Sequence, residues 1–202
     1  MRRLLAVLLA LVMAAGAGSA SAAGFGLLST PVPQPTEQIP AFTFRNGISW
    51  NMNTEQVRSL EVTPMNERTS GEWSVMMTAE KVAVSRFTAD LVFIFRQNQL
   101  RMITYEFNNS SDSVISFYYL IGALESKYGK SQDAEPQTVK NLMDRIDPNH
   151  YRTDRMRQVH AWKDKDGTGI YLYYFDTDRF AILYASPELS APGGGEYDVN
   201  GL

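Results

Sequence analysis

Residues Leu91–Tyr105 read LVFIFRQNQLRMITY, an apolar run, a polar turn at 96–99 and a second apolar run. Two runs of strand-forming residues joined by a short polar turn predict a long β-hairpin. In the second run Ile103, Tyr105 and Phe107 alternate with polar residues. Because successive side chains of a strand point to opposite faces of a sheet, this alternation predicts one buried face and one solvent-exposed face.

The same pattern returns 79 residues later, where Ile170–Tyr184 reads IYLYYFDTDRFAILY. Both copies end in Tyr, and each follows a predicted helix. We therefore predict an α+β fold. It consists of two helix-plus-three-strand pseudo-repeats joined into one antiparallel sheet of about six strands, with two or three helices packed on one face.

Helical patterns occur at three places in the chain. Asn53 and Gln56 have the spacing of a capping box and predict a short first helix. A third pattern, Gln137–Ile146, predicts another short helix. The second helix is the longest, and Gly129 ends it. Its apolar residues at helical spacing are Val114, Phe117, Ile121, Leu124 and Tyr128.

The N-terminus has the three parts of a secretory signal peptide. Arg2 and Arg3 are positively charged, Leu4–Met13 is apolar, and Ala20 and Ala22 form an A-x-A cleavage pattern. A membrane-spanning helix needs about 20 apolar residues, and Leu4–Met13 is shorter. We predict a cleavable signal peptide at residues 1–22, and hence an exported protein that is periplasmic or extracellular.

The cysteine count and the net charge exclude several kinds of site and binding partner for this protein. The sequence has no cysteine, which excludes a lipid anchor, a disulfide framework and cysteine metal sites. Without Arg2 and Arg3, 17 basic residues face 22 acidic ones, a net charge of −5. Phosphate contacts need clustered Lys and Arg, so we predict no nucleic-acid partner. We also predict that the exported protein is neither lipidated nor membrane-spanning.

The two ends of the exported chain differ in composition from its middle. Residues 23–40 carry Pro31, Pro33 and Pro35 at alternate positions, which predicts an extended, Pro-rich linker. Residues 188–202 contain three consecutive glycines and predict a disordered tail. The single α+β domain is then predicted at residues 41–187.

The segment Phe44–Val57 reads FRNGISWNMNTEQV, and the second predicted helix ends in Lys-Tyr-Gly at 127–129. This resembles small exported bacterial proteins that open with W-G-M-S-x-E-x-V and end a helix with K-Y-G-x-P. Here Asn51 and Asn53 replace the Gly and the Ser of that pattern. The layout also resembles the beta-lactamase-inhibitor-protein fold and the SmpA/OmlA lipoproteins. The resemblance implies a fold and an envelope or secreted setting, and it transfers no catalytic residue.

The motifs of common catalytic sites are missing from the sequence. The chain has two histidines, His150 and His160, and no G-x-S-x-G elbow, H-E-x-x-H pattern, P-loop or Rossmann glycine pattern. The acidic turns at 164–166 and 176–178 do not fit the calcium-loop template. We therefore predict no metal, no cofactor and no catalytic residue.

The aromatic strand at 168–175 carries the strongest functional signal. Ile170, Leu172 and Tyr174 are predicted to face the helices, which leaves the alternate aromatic residues on a helix-free face. Tyr and Trp dominate protein-binding hot spots. We predict a binding surface made of Trp162, Tyr171, Tyr173 and Phe175. The alternative is that these residues are covered by the C-terminal tail, the Arg152 region or a second subunit, or that they belong to the core.

These features predict an exported, non-enzymatic binding or accessory module that contacts an unidentified protein partner. Two other functions stay open. A secreted hydrolase acting on envelope material would place His150 or His160 beside a carboxylate in a deep pocket. A small-ligand carrier would have an apolar cavity between helix and sheet. The oligomeric state is not determined by the sequence.

Overall fold

Residues 42–108, 113–144, 156–174 and 179–190 are described by a computed structural model. The predicted signal peptide and linker lie outside the described residues, as does the predicted tail beyond Ser190. No helix in the described part of the chain is long and apolar enough to span a membrane.

The described residues form one antiparallel sheet of nine strands. Its order is β1-β2-β4-β5-β9-β8-β7-β6, and β3 pairs with β4 outside this path. The strands are β1 Met65–Ser70, β2 Trp73–Thr78, β3 Val82–Val84, β4 Phe87–Arg96, β5 Gln99–Asn108, β6 Gln132–Ala134, β7 Arg157–Lys163, β8 Gly169–Tyr174 and β9 Arg179–Ala185.

Four α-helices accompany the sheet in the described ranges, where the sequence predicted two or three. They are α1 Thr54–Leu60, α2 Ser113–Tyr128, α3 Pro136–Asp144 and the single-turn α4 Pro187–Ser190. The predicted capping box is present at α1. Asn53 Oδ1 accepts the Gln56 N–H at 2.9 Å, and Gln56 Oε1 accepts the Asn53 N–H at 2.9 Å. Gly129 ends α2 with a φ of +87°, a conformation that other residues rarely adopt.

The two similar hairpins occupy the centre of the sheet. Leu91 pairs with Tyr105 in the β4–β5 hairpin, and Ile170 pairs with Tyr184 in the β8–β9 hairpin, at the same 79-residue offset. The hairpins join through β5 and β9, where Ile103 pairs with Tyr184. The internal sequence similarity therefore corresponds to two equivalent hairpins placed side by side.

The sheet has nine strands where the sequence predicted about six. The two edge strands, β1 and β6, read MNERTS and QDA, and they have no apolar alternation. An edge strand pairs on one side only and presents its other side to solvent, where charged and polar residues are common. Sequence patterns based on buried faces therefore miss both edges.

The prediction that the helices cover one face of the sheet is wrong. Helix α2 packs on one face through Phe117, Leu120 and Leu124. Helix α3 packs on the other face, and so does α4 through Leu189. The central strands are near-continuous apolar runs with apolar side chains on both faces. Both faces must therefore be covered by other elements to remove these side chains from water.

The predicted solvent-exposed face of β5 is also wrong. Thr104, one of its alternating polar residues, is fully buried. Its Oγ1 donates a hydrogen bond to the Ile182 carbonyl oxygen at 3.2 Å. A hydroxyl that is paired in this way can be buried without a large penalty, so the polar alternation did not indicate exposure here.

Candidate functional site

The predicted aromatic binding surface is divided between the two faces of the sheet. Tyr171 and Tyr173 are buried in the layer that contains α3 and α4. Trp162 is buried on the opposite face, in the layer that contains α2. Phe175 lies outside the described residues. The predicted orientation of Ile170 and Leu172 toward α2 is confirmed, yet the face behind them is not open.

Tyr171 and Tyr173 are buried, and not exposed as predicted, because segments distant in the chain pack against them. Val139, Leu142 and Met143 of α3 are buried against the same layer as Tyr173. The strand pattern of β8 carries no information about which segment covers its second face. The packing of α3, some thirty residues earlier, and of Leu189 in α4 removes that face from solvent.

An exposed apolar surface does exist, but it lies on α2. Four large side chains on the outward side of this helix are substantially exposed: Val114 at 57%, Ile115 at 64%, Tyr118 at 59% and Tyr119 at 41%. Residues three and four positions apart are neighbours on a helix surface. The pairs 114–118, 115–118 and 115–119 have this spacing, so the four side chains form one patch. We call this patch the α2 outer face.

The amino-acid sequence contains a signal for the α2 outer face that the helical spacing obscured. From 113 to 124 the helix reads SVISFYYLIGAL and has no charged residue. A surface helix normally has charged and polar residues on its outward side. Val114, which the spacing assigned to the buried side, is in fact exposed. The helix has more apolar residues than the sheet can bury.

The rim of the α2 outer face is aromatic and basic. The Arg86 guanidinium lies 4.1 Å from the centre of the Tyr119 ring and 5.1 Å from that of Phe87. The rings of Phe87 and Tyr119 meet edge to face, with centres 5.5 Å apart. Ser85 Oγ lies 3.4 Å from the Tyr119 hydroxyl. Within the described residues, no carboxylate forms an ion pair with Arg86.

The surroundings of His160 do not form a catalytic triad. Its Nδ1 is 3.4 Å from Ser131 Oγ and 3.8 Å from Asp133 Oδ1. A triad needs the nucleophile and the carboxylate on opposite ring nitrogens, and here both lie at the same one. The Asp133 side chain is also 98% exposed. His150, the other candidate, lies outside the described residues.

Ser131 has a different role, as a donor to Glu125. Glu125 Oε1 accepts hydrogen bonds from the Ser131 N–H at 3.2 Å and from its hydroxyl at 2.9 Å. These two bonds, the backbone one first, hold the pKa of the Glu125 carboxyl below its ordinary value, with smaller contributions from Lys130 and His160. The Ser131 hydroxyl therefore fixes a loop.

The acidic turn at 164–166 is likewise structural. Asp166 Oδ1 accepts the Thr168 N–H at 2.9 Å, and Oδ2 accepts the Thr168 hydroxyl at 3.0 Å and the Phe42 N–H at 3.1 Å. The second acidic turn, at 176–178, lies outside the described residues. Among the residues that the structure describes, no group of three or more His, Asp or Glu could hold a metal ion.

Recesses are present on the surface formed by the described residues, and two of them are relevant to the candidate site. The first, the edge cleft, has a volume of about 370 Å³ and is lined by residues that include Lys130, Gln132, Trp162, Lys163 and Tyr171. It brings together two of the predicted binding residues, Trp162 and Tyr171, from opposite faces of the sheet.

The second recess, of about 520 Å³, lies beside Trp50, Arg101 and Asp166. Arg101 forms an ion pair with Glu188, which also lines this recess. The Asp166 carboxylate is occupied by its hydrogen bonds to Thr168 and Phe42. Arg101, Glu188 and Asp166 therefore already have partners within the fold.

The family model of the TP0088 domain matches residues 43–146 of the 202. The chain belongs to the TP0088 domain family. No curated protein and no solved structure matches it. The match covers β1 to β6 and helices α1 to α3.

The α2 outer face therefore lies entirely within the TP0088 domain match, as does Arg86 at its rim. The edge cleft is only partly within it. Lys130 and Gln132 belong to the matched region, whereas Trp162, Lys163 and Tyr171 come from the strands that follow it.

Proposed function

We propose that this member of the TP0088 domain family is an exported binding or accessory module of the cell envelope or extracellular space. It acts by protein–protein contact through the α2 outer face. The observation that carries the proposal is the side-by-side exposure of Val114, Ile115, Tyr118 and Tyr119 on one helix face. Contiguous exposed apolar patches mark interaction sites, and Tyr is frequent among binding hot spots.

The energetic argument follows from the area that a partner would remove from water. Complete burial of one large apolar side chain is favourable by about 1.5–3 kcal/mol. The four side chains are roughly half exposed, so covering them would contribute on the order of 4 kcal/mol before the entropic cost of association. This patch is therefore the centre of a contact, and further contacts at its rim complete it.

The rim indicates the chemistry of the partner. Arg86 lies over Tyr119 and has no ion-pair partner in the described part of the chain. A partner with apolar or aromatic side chains at its centre and a carboxylate beside Arg86 would satisfy both features. The acidic exported chain is a poor match for an anionic membrane surface. We therefore favour a second exported protein over a lipid surface.

The setting is inferred from the sequence. The signal peptide predicted at 1–22 and the absence of cysteine support an exported protein without a lipid anchor. The layout resemblance to the beta-lactamase-inhibitor-protein fold and the SmpA/OmlA lipoproteins agrees with an extracytoplasmic binding role.

Site-specific photocrosslinking in the native cell tests the proposal. A photoreactive residue at Ile115 is expected to give a discrete adduct with one other protein. The control position is Val62, which is 89% exposed and lies outside α2. It is expected to give no such adduct. An adduct at position 115 with twice the mass of this chain, or one with lipid only, would contradict a second protein as partner.

Affinity for the purified partner provides the second measurement. The I115S/Y118S variant is expected to bind the crosslinked protein at least about tenfold more weakly, because it removes two exposed apolar anchors. The V62S variant is expected to bind like the wild type. Circular dichroism verifies that both variants are folded. If the folded I115S/Y118S variant binds the partner as tightly as the wild type, the proposed contact through the α2 outer face is wrong.

A further inference from the structure

The edge cleft exists because strand β6 is too short for its neighbour. Gln132 pairs with Ala161, and the β6–β7 ladder ends there. Strand β7 continues to Lys163 and pairs only with β8 over Trp162 and Lys163. No strand in the described part of the chain therefore pairs with this edge over Trp162 and Lys163, and the recess of about 370 Å³ lies beside them.

One wall of the edge cleft is the loop after α2, and that loop is held firmly. The Trp162 indole N–H donates to the Gly129 carbonyl oxygen at 2.9 Å. The Gly129 N–H donates to the Glu125 carbonyl oxygen at 2.9 Å. On the other side of Lys130, Ser131 donates twice to the Glu125 carboxylate. Lys130 therefore projects from a backbone that is fixed on both sides.

The opposite wall is closely packed. The Gly169 N–H donates to Ser190 Oγ at 3.2 Å, and that hydroxyl donates to the Ala185 carbonyl oxygen at 3.2 Å. A Cβ atom at Gly169 would lie only 2.5 Å from Ser190 Oγ and 3.0 Å from the Tyr171 ring. The buried Tyr171 ring thus has a defined position, and a ligand would meet a preformed surface.

The charge of the edge cleft is positive. Lys130 and Lys163 both line it, and no carboxylate is among its described lining residues. Lys163 has no ion pair with any described carboxylate. Lys130 is near Glu125, but that carboxylate already accepts two hydrogen bonds from Ser131. Gln132 adds an amide donor at the rim.

We propose that the edge cleft binds a small organic dianion that carries a flat apolar group, such as an aryl phosphate monoester. Its doubly charged head lies between Lys130 and Lys163, where two ammonium groups match its charge. Its ring lies between Trp162, beside the loop wall, and Tyr171 of the opposite wall. The site shares no residue with the α2 outer face, so this inference does not depend on the proposed protein–protein contact.

Titration of the purified protein, followed by amide and indole NMR signals, tests the inference. The probes are phenyl phosphate, inorganic phosphate and phenol. Phenyl phosphate is expected to shift the Trp162 indole signal saturably and to bind more tightly than either of the other two probes. No shift of this signal, or equal affinity for phenol and phenyl phosphate, would overturn the inference.

Paired variants separate the cleft from general charge effects. K130Q/K163Q is expected to weaken phenyl phosphate binding by about tenfold or more, because it removes two charge-assisted contacts. K81Q/K140Q removes the same charge away from the cleft and is expected to change the affinity by less than about twofold. Equal losses in both pairs would contradict a specific site. I115S/Y118S is expected to bind phenyl phosphate like the wild type, so either proposal can fail alone.

Discussion

The indole N–H of Trp162 donates a 2.9 Å hydrogen bond to the carbonyl oxygen of Gly129, 33 residues earlier in the chain. This bond links strand β7 to Gly129, the residue directly after α2. The bond thus fixes the loop that carries Lys130. Trp162 has a structural role that its aromatic character alone did not indicate.

The W162F variant tests this role. Phenylalanine keeps most of the apolar contact of Trp162 but lacks the indole N–H. The Gly129 carbonyl oxygen therefore loses this hydrogen bond. We expect the free energy of unfolding to fall by about 1–3 kcal/mol. Urea denaturation measures the change, with V62S as an exposed control. A stability equal to that of the wild type would show that the bond is not needed.

The buried carboxylate of Glu61 provides a second prediction. Its side chain is fully buried and lies 3.1 Å from Arg45 Nε. It also accepts hydrogen bonds from the Thr63 N–H and hydroxyl. The R45M variant leaves this carboxylate buried without its cation, and we expect a loss of about 3–5 kcal/mol in the free energy of unfolding.

The matched control for R45M is R58M. Arg58 and Glu67 also form an ion pair, at 2.7 Å, but both side chains are well exposed to solvent. Exposed ion pairs contribute about 0–1 kcal/mol, so R58M is expected to change stability by no more than that. Similar losses in R45M and R58M by chemical denaturation would show that burial is not the deciding factor.

Two buried hydroxyls should respond in opposite ways to removal. Ser186 is 1% exposed, and its Oγ has no hydrogen-bond partner among the described residues. S186A is therefore expected to be neutral or to stabilise the protein by up to about 1 kcal/mol. Thr104 donates to the Ile182 carbonyl, so T104V is expected to cost about 1–2 kcal/mol. Thermal unfolding of both variants measures the contrast, and a marked loss in S186A would contradict it.

The Glu125–Ser131 contact predicts a pH dependence. The pKa of Glu125 is lowered in the folded state, first by the backbone N–H of Ser131 and then by its hydroxyl. The ionised form is thus favoured by folding, and this contribution is lost as the pH falls through the lowered pKa. S131A keeps the backbone donor, so it is expected to raise the pKa only part of the way to the ordinary value. NMR titration of the Glu125 carboxyl carbon measures it, and an unchanged pKa would exclude the hydroxyl as a cause.

Local patterns predicted a large part of the fold. The turn at 96–99, the Asn53–Gln56 cap and the glycine at 129 each depend on residues close together in the chain. The 79-residue similarity also predicted two equivalent hairpins. The polar edge strand β1 was missed, because the pairing of an edge depends on a neighbouring strand and needs no apolar pattern of its own.

The candidate site was predicted less well. The orientation of Ile170 and Leu172 followed from strand periodicity, but the exposure of Tyr171 and Tyr173 did not. Exposure depends on whether another segment covers a face, and periodicity reports only which side chains share that face. For α2, the apolar character of both sides was visible in the sequence, while the exposed side was not.

The sequence by itself determined the two central hairpins and the main helix, because these depend on spacing and composition within short segments. The export signal stays a prediction from the sequence. Only the tertiary structure showed that α3 covers Tyr173, that Val114 and Tyr118 remain exposed, and that Lys130 and Lys163 both line the edge cleft. These are relationships between segments distant in the chain. The first two follow from the requirement that a sheet with two apolar faces bury both of them, with α2 turning its other side outward. The third follows from the shortness of β6 beside β7.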